Sequence, residues 1–501
     1  MTLRTAPLAA MAAGAQLFCA SGAGAQSAAQ QVATYQRAIA ARDGALHAVI
    51  TLNPHAEADA RARDVERATG QVRGPLHGVP ILLKDNIETA DGMPTTAGSL
   101  ALKDNDPGRD AVMAARLRAA GVVILGKTNL SEWANFRSTN SISGWSAVGG
   151  QTHNAYDLAR SPCGSSSGSA VAVAAGLAAA AIGTETDGSI TCPAAVNGLV
   201  GFKPTVGLVS RTHIVPISHS QDTAGPITLT VREAAVLLTA MAGTDPADPA
   251  TREADAHRTD YAAALDASSL KGARIGVLRF ATGFHPETDA VFEAALSNMR
   301  AAGAVIVEIA DTPDKKALGA AEGLVLRTEF KADLEAYLAS TLPAQVKTRT
   351  LADLIAFNHA HAETEMPLFG QELFEASEAT KGLTDPAYLE ALATGRRLAG
   401  AEGIDRLLTQ NKVVALVAPT LGPAGLIDPV LKDRFVGGGA GQLASVAGYP
   451  HLTVPMGMVS DLPVGLSFIG PAWADARILS LGYAFEQATL ARRAPEFPAV
   501  P

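Results

Sequence analysis

An α/β protein with a mixed, mostly parallel central sheet covered by helices on both faces is the fold class this sequence predicts. Three observations predict it. Short apolar runs such as Val79-Pro-Ile-Leu-Leu83 and Val413-Val-Ala-Leu-Val-Ala418 read as strands buried on both faces. Longer segments with apolar residues at helical spacing separate them. Between 273 and 309 stands a complete strand–helix–strand unit: Ala273-Arg-Ile-Gly-Val-Leu278, a helical pattern over 287–302, then Ala304-Val-Ile-Val-Glu-Ile309.

Taken in order, 28–41 and 56–68 alternate apolar stripes with Arg, Asp and Glu, as surface helices do. The strand 79–83 delivers Lys84 at its end. An amphipathic helix over 110–120 precedes the strand Gly121-Val-Val-Ile-Leu125. The segment 129–164, rich in Gly, Ser, Asn and Trp, has no regular period, and a loop of that length usually lines or covers a site. The apolar run 170–182 is too long for one strand and predicts a helix packed on both sides, entered through Gly168 and Ser169 and closed by Gly183. Gly198-Leu-Val-Gly-Phe-Lys-Pro204 reads as a strand and turn, and Ser220-Gln-Asp-Thr-Ala-Gly-Pro226 as a turn before a helix over 231–241. The more polar helices 317–340 and 351–362 suggest a cap beside the sheet. Strands at 413–418 and 464–469 and a helix over 475–491 close the chain.

Composition narrows the function classes. Of 501 residues 48% are hydrophobic and 18% charged, which suits a large globular core, and no Pro/Ser linker divides the chain. A net charge of −9 with no basic stripe excludes a nucleic-acid partner. Three cysteines are too few for disulfides to be the main source of stability. At the N-terminus, Met1-Thr-Leu-Arg4, the apolar run 6–20 and Ala23-Gly-Ala25 read as a secretory signal over 1–25, with a periplasmic or secreted mature chain beginning near Gln26. The run is too short to span a membrane, and Gln16-Leu-Phe before Cys19 is a poor lipoprotein box, so no membrane anchor is expected.

Two motif matches fail on context. Gly121-Val-Val-Ile-Leu-Gly126-Lys127-Thr128 satisfies the phosphate-loop expression, but its four variable residues are themselves the strand, which ought to precede the first glycine. Gly164-Ser-Ser-Ser-Gly168 satisfies G-x-S-x-G with Ser166 as nucleophile, yet that elbow follows an apolar strand, and 153–162 is polar. What survives is a lysine at a strand end, Lys84, and two hydroxyl-rich turns, Ser161-Pro-Cys-Gly-Ser-Ser-Ser-Gly-Ser169 and Gly183-Thr-Glu-Thr-Asp-Gly-Ser189. One lysine and two serines on such segments suggest nucleophilic catalysis without histidine. His77 and His361 have no assignable role.

These segments, with Gly78-Val-Pro…Lys84-Asp-Asn86, Gly126-Lys-Thr-Asn129 and Gly201-Phe-Lys-Pro204, resemble the amidase signature family of Ser-Ser-Lys amidohydrolases. The likeness spans nearly the whole mature chain. Through Lys127-Thr-Asn-Leu-Ser-Glu-Trp-Ala-Asn-Phe136 and Ser220-Gln-Asp-Thr-Ala-Gly-Pro226 it is strongest to the bacterial peptide amidases. It implies one amidase signature domain over 26–501 with a cap-like helical region around 311–400, expected to be monomeric, and needing neither cofactor nor metal. It further implies Ser189 as nucleophile, Lys84 as final base and Ser165 as the bridging serine, since the family spaces its serines 24 apart and 189 − 165 = 24. The bridging serine of the family sits in a cis peptide, here Gly164–Ser165 or its neighbour. The turn Thr186, Asp187, Gly188, Ser189 would bind substrate and aim backbone N–H groups at the oxyanion, each donor worth roughly 3–4 kcal/mol.

The chemistry needs such a set. A serine hydroxyl must lose its proton as it attacks, and lysine accepts one only when neutral, which burial favours. The substrate expected is a small-molecule or peptide amide, foremost the C-terminal carboxamide of peptides, because Ile190-Thr-Cys-Pro193 offers no Arg for a carboxylate. Other small or aryl amides are the alternative. A non-catalytic periplasmic binding relative would lack one of Lys84, Ser165 and Ser189; the amidase component of a tRNA-dependent amidotransferase would be cytoplasmic and carry that Arg. Trp133, Phe136 and Trp145 suit either a wall for peptide side chains or the core. Cys163 and Cys192 flank the two serines and are read either as a disulfide bracing the site or, the reading preferred on sequence, as two buried thiols.

Overall fold

The computed structural model describes residues 26–434 and 436–497, so the expected signal over 1–25 lies outside the described residues. In chain order the strands are β1 (Val49–Leu52), β2 (Pro80–Lys84), β3 (Val123–Thr128), β4 (Trp145–Ser146), β5 (Gly150–Gln151), β6 (Ala180–Glu185) and β7 (Val200–Lys203). They continue with β8 (Thr223–Thr228), β9 (Arg274–Leu278), β10 (Val305–Ile309), β11 (Ala415–Pro419), β12 (His451–Val459) and β13 (Leu462–Ile469). β4 and β5 pair only with each other; the other eleven form one sheet, ordered β1-β3-β2-β6-β8-β7-β12-β13-β11-β9-β10.

The sheet is mixed, as the patterning predicts. Its parallel pairs form two blocks, β3-β2-β6 and β11-β9-β10, and antiparallel ladders through β8, β7, β12 and β13 join them. Connection length explains the division. The helix Pro286–Ala301 crosses from β9 to β10, whereas only Ser460 and Asp461, both at positive φ, link β12 to β13 as a two-residue hairpin turn.

Alternate residues along the central strands enter different cores, as a period of two requires. Ile81, Leu83, Ile124 and Ile182 face the helices Val112–Ala119, Val231–Met241, Pro286–Ala301 and Asp475–Thr489. Leu82, Val123, Leu125 and Ala181 face Ala28–Leu46, Ala56–Ala68 and Ser167–Ala174. Both faces are covered. Beside the sheet, the helices Lys315–Ser340, Leu351–Ala360 and Glu372–Glu378 share a core of Phe330, Leu334, Leu338, Leu354 and Phe374. Among the described residues no helix is long and apolar enough to cross a membrane.

Several expectations are corrected. The run 170–182 is not one helix: Ser167–Ala174 is helical, Gly176 turns the chain at φ 69°, and β6 begins at Ala180. Gly168 and Ser169 lie inside that helix, and Gly183 lies inside β6, where a Cβ would stand 2.6 Å from Ser166 Oγ. The stretch 220–226 is a turn only at its start, since β8 begins at Thr223. β12 is a strand that periodicity did not reveal. Cys163 and Cys192 are joined as a disulfide, with Cα atoms 6.0 Å apart, rather than packed as thiols.

Candidate active site

Three parallel strand ends assemble the centre. β2 ends at Lys84, β6 runs on into Thr186-Asp-Gly-Ser189, and β3 leads into the loop that backs the Ser165 turn. Gly164–Ser165 is a cis peptide, as the family resemblance implies. Ser131 N–H donates to Ser165 O (3.1 Å) and Ser166 N–H to Ser189 O (3.1 Å), so the backbone ties the two serine turns together. The disulfide ties them again, two residues before Ser165 and three after Ser189.

Lys84 and Ser165 are fully buried and Ser189 is 8% exposed. Lys84 Nζ lies 2.8 Å from Ser165 Oγ, 2.8 Å from Thr184 Oγ1 and 3.2 Å from Thr184 O. Burial lowers the lysine from its ordinary 10.5 to about 7, although Asp222 and Glu185 pull the other way. Near neutrality it is therefore a base. Ser189 Oγ has no hydrogen-bond partner among the described residues and meets solvent. The N–H groups of Asp187, Gly188 and Ser189 likewise donate to no described residue, leaving three backbone donors beside the hydroxyl. Gly188, at φ 77°, makes the turn that presents them.

Other groups hold this turn, and motif reading assigned them no role. Glu185 Oε2 accepts from the N–H of Ile190 (2.7 Å) and of Thr191 (2.9 Å), directly after Ser189. Asp222 accepts from Thr186 Oγ1 (2.6 Å), and Gln221 Nε2 donates to Thr186 O (3.3 Å). Asn86 Nδ2 donates to Thr184 Oγ1 (3.0 Å), orienting the base's own partner. Glu185 is a carboxylate within the hydroxyl-rich turn itself, a signal available in sequence; the others depend on packing. A cavity of ≈ 420 Å³ is lined in part by Asn86, Thr184, Asp222 and Tyr337, so it reaches Thr184, the partner of Lys84; neither Ser165 nor Ser189 borders it.

The remaining sequence candidates fall elsewhere. Ser166 Oγ is engaged by Thr184 N–H and O, which leaves it no catalytic freedom. Lys127 is buried in β3 and donates to Ile87 O (2.6 Å) and Thr95 Oγ1 (2.9 Å), so it grips backbone rather than phosphate. Trp133 and Trp145 are core residues, packed edge-on against Phe374 and Phe369, and Phe136 packs on Phe330 at 5.0 Å. His77 Nε2 contacts Arg63 O and is buried; His361 Nδ1 contacts Phe357 O at the surface.

Residues 30–479 match the protein family described as Amidase. The solved structure of native peptide amidase from Stenotrophomonas maltophilia superposes with a TM-score of 0.90 at 52% identity, covering 97% of each chain. A probable amidase of Arabidopsis thaliana is 40% identical over 478 residues, 93% of this chain and 88% of its own. A glutamyl-tRNA(Gln) amidotransferase component of Moorella thermoacetica is 37% identical, over 91% of this chain and 93% of its own. With the family matched over most of its length, the chain belongs to the amidase signature family and is a hydrolase of amide C–N bonds.

Proposed function

We propose that Ser189, Ser165 and Lys84 hydrolyse the C-terminal carboxamide of peptides. The observation that carries the triad is the 2.8 Å contact between Ser165 Oγ and an amine that burial brings to about 7. Ser189 Oγ attacks the carbonyl carbon; its proton passes to Ser165 Oγ, and Ser165 passes its own to neutral Lys84. The N–H groups of the 187–189 turn receive the oxyanion. As the C–N bond breaks, the proton returns through Ser165 to the nitrogen, and ammonia leaves. Water then attacks the acyl-serine by the same relay, releasing the carboxylic acid and free Ser189.

Two features support a neutral peptide amide over a dicarboxylic half-amide. Thr191 and Cys192, not Arg, follow the nucleophile, and the peptide amidase of S. maltophilia is similar over almost the whole chain. The absent Arg also counts against the amidotransferase reading. A periplasmic or secreted setting belongs to this proposal, supported by the disulfide, which persists in oxidising compartments. Ammonia release should be measured from peptide amides, free carboxamides, malonamate and aryl anilides. Peptide amides should be turned over fastest, and Ser189→Ala should abolish turnover with the fold intact. Malonamate faster than every peptide amide sinks the substrate assignment. A mild Ser165→Ala beside a dead Ser166→Ala sinks the relay.

A further inference from the structure

Asp187 is exposed and separated from Ser189 by Gly188 alone; its carboxylate accepts no hydrogen bond from a described residue, and the Ser445 hydroxyl lies near it. Behind it stands Glu322, on the inner side of Lys315–Ser340. Gln221 Nε2 bridges Glu322 Oε1 (2.9 Å) and Thr186 O (3.3 Å), which places Glu322 against the nucleophile turn. Gln442 Nε2 donates to Glu322 Oε2 (2.8 Å), so the helix Gly441–Ala447 closes the other side. Ser445, one helical turn after Gln442 and so on the same face, lies beside Asp187, and its wholly buried hydroxyl has no hydrogen-bond partner among the described residues.

We propose that Asp187, backed by Glu322, forms a cation-accepting subsite next to the nucleophile. Amides with a positive charge on the residue that bears the carboxamide are then preferred over those with a negative one. This rests on the reading of Ser189 as nucleophile. Solvent reaches Asp187, yet the protein around the carboxyl desolvates it in part; that desolvation, then Glu322 and Glu185, push it above the usual carboxylate range. Lys203 acts on the group from below but is itself buried, donating to Pro204 O at 3.2 Å, and cannot reach a substrate. Glu322 and Glu185 make the local field negative, and Ile190-Thr-Cys-Pro193, directly after Ser189, supplies no Arg to offset it. An ammonium or guanidinium offers the missing counter-charge, and a carboxylate meets repulsion.

The test compares the N-acetyl amides of lysine, norleucine and glutamic acid (α-amide), with norleucine amide bearing a free α-amine as a further arm. For the native protein kcat/KM should favour the lysine over the glutamic acid amide by about tenfold, with norleucine between, as a partly exposed charge pair predicts. A gain by norleucine amide over its acetylated form assigns the cation to the α-ammonium; a gain confined to lysine assigns it to the side chain. Asp187→Asn, and independently Glu322→Gln, should bring the lysine-to-glutamate ratio to within about twofold. Calorimetric binding to Ser189→Ala reads the same selectivity without turnover. If no amide is turned over, the peptide-amide reading fails, while binding still decides the subsite. Equal binding of lysine and glutamic acid amides, or a ratio unmoved in both carboxylate variants, overturns the subsite.

Discussion

In the proposed mechanism the chemistry turns on Lys84, and its environment makes the pH dependence predictable. Burial lowers its pKa to about 7, so the neutral, proton-accepting fraction grows as pH rises through that value. Below about pH 7, kcat/KM should fall roughly tenfold per unit, as expected for one essential base in the free enzyme. Asp222 works against burial by favouring the charged amine. Asp222→Asn should therefore shift the limb of the profile to lower pH while keeping an acceptor for Thr186 Oγ1. A limb that moves upward, or a rate flat from pH 5 to 9, would contradict lysine as the base. Lys84→Arg should be inactive at every accessible pH, because a guanidinium does not give up its proton.

At the level of elements, local signals explain what could be read ahead of the structure. The helix Val231–Met241 was legible to the residue because Thr230 and Glu233 form a capping box at its start. β2, β3 and the β9–helix–β10 unit were legible because both-face burial writes a continuous apolar run. The run 170–182 misled for the same reason: a helix buried all round and a central strand are equally apolar, and Gly176 alone marks the break between them. β12 was missed because its turn is Ser460-Asp461, without the glycine that usually announces a tight hairpin. Ser165, Ser189 and Lys84 were legible as candidates from motif order. Gln221 and Glu322 as supports were not, because their partners become apparent only once the chain is folded.

The 129–164 loop shows what fastening such a segment takes. Arg137, fully buried, pairs with Glu132 within the loop and lies 3.6 Å from Glu365, while its guanidinium stacks over Phe369 at 4.3 Å. Arg137→Ala leaves two buried carboxylates without their cation and should cost about 3–5 kcal/mol, read as a drop in the denaturant midpoint. Loss of activity should follow loss of fold rather than precede it. The disulfide makes a separate prediction. In protein beginning at Gln26, titration of the denatured, unreduced chain should find no free thiol. Replacing both cysteines by Ser should lower stability by about 3.6 kcal/mol, the loop-closure value for a separation of 29 residues.

Across the whole molecule, the candidate site lies where the β3-β2-β6 block meets the antiparallel ladders, and the helix Lys315–Ser340 holds the Ser220–Gln221 segment through Glu322 and Glu329. Glu329 is fully buried and accepts from Ser220 Oγ (2.6 Å), Ser220 N–H (3.1 Å) and Tyr388 OH (2.8 Å), fixing the segment that carries Gln221 and Asp222. This arrangement bears on the leaving group. The proton that the departing nitrogen needs comes from Ser165, so in the proposed mechanism that nitrogen faces Ser165 and Lys84. Both are wholly enclosed, whereas the solvent-facing side belongs to Ser189 and Asp187. A bare NH2 fits against such a wall; each atom added to the nitrogen must displace packed protein, at about 1–3 kcal/mol for an overpacked interior. A peptide amide should therefore react at least about fivefold faster than its N-methylamide, and internal peptide bonds should stay intact. Mass spectrometry of an amidated peptide should show conversion to the acid and no fragments. Comparable rates for the N-methylamide, or cleavage within the chain, would place the leaving group on the open side and reverse the assigned orientation of the substrate.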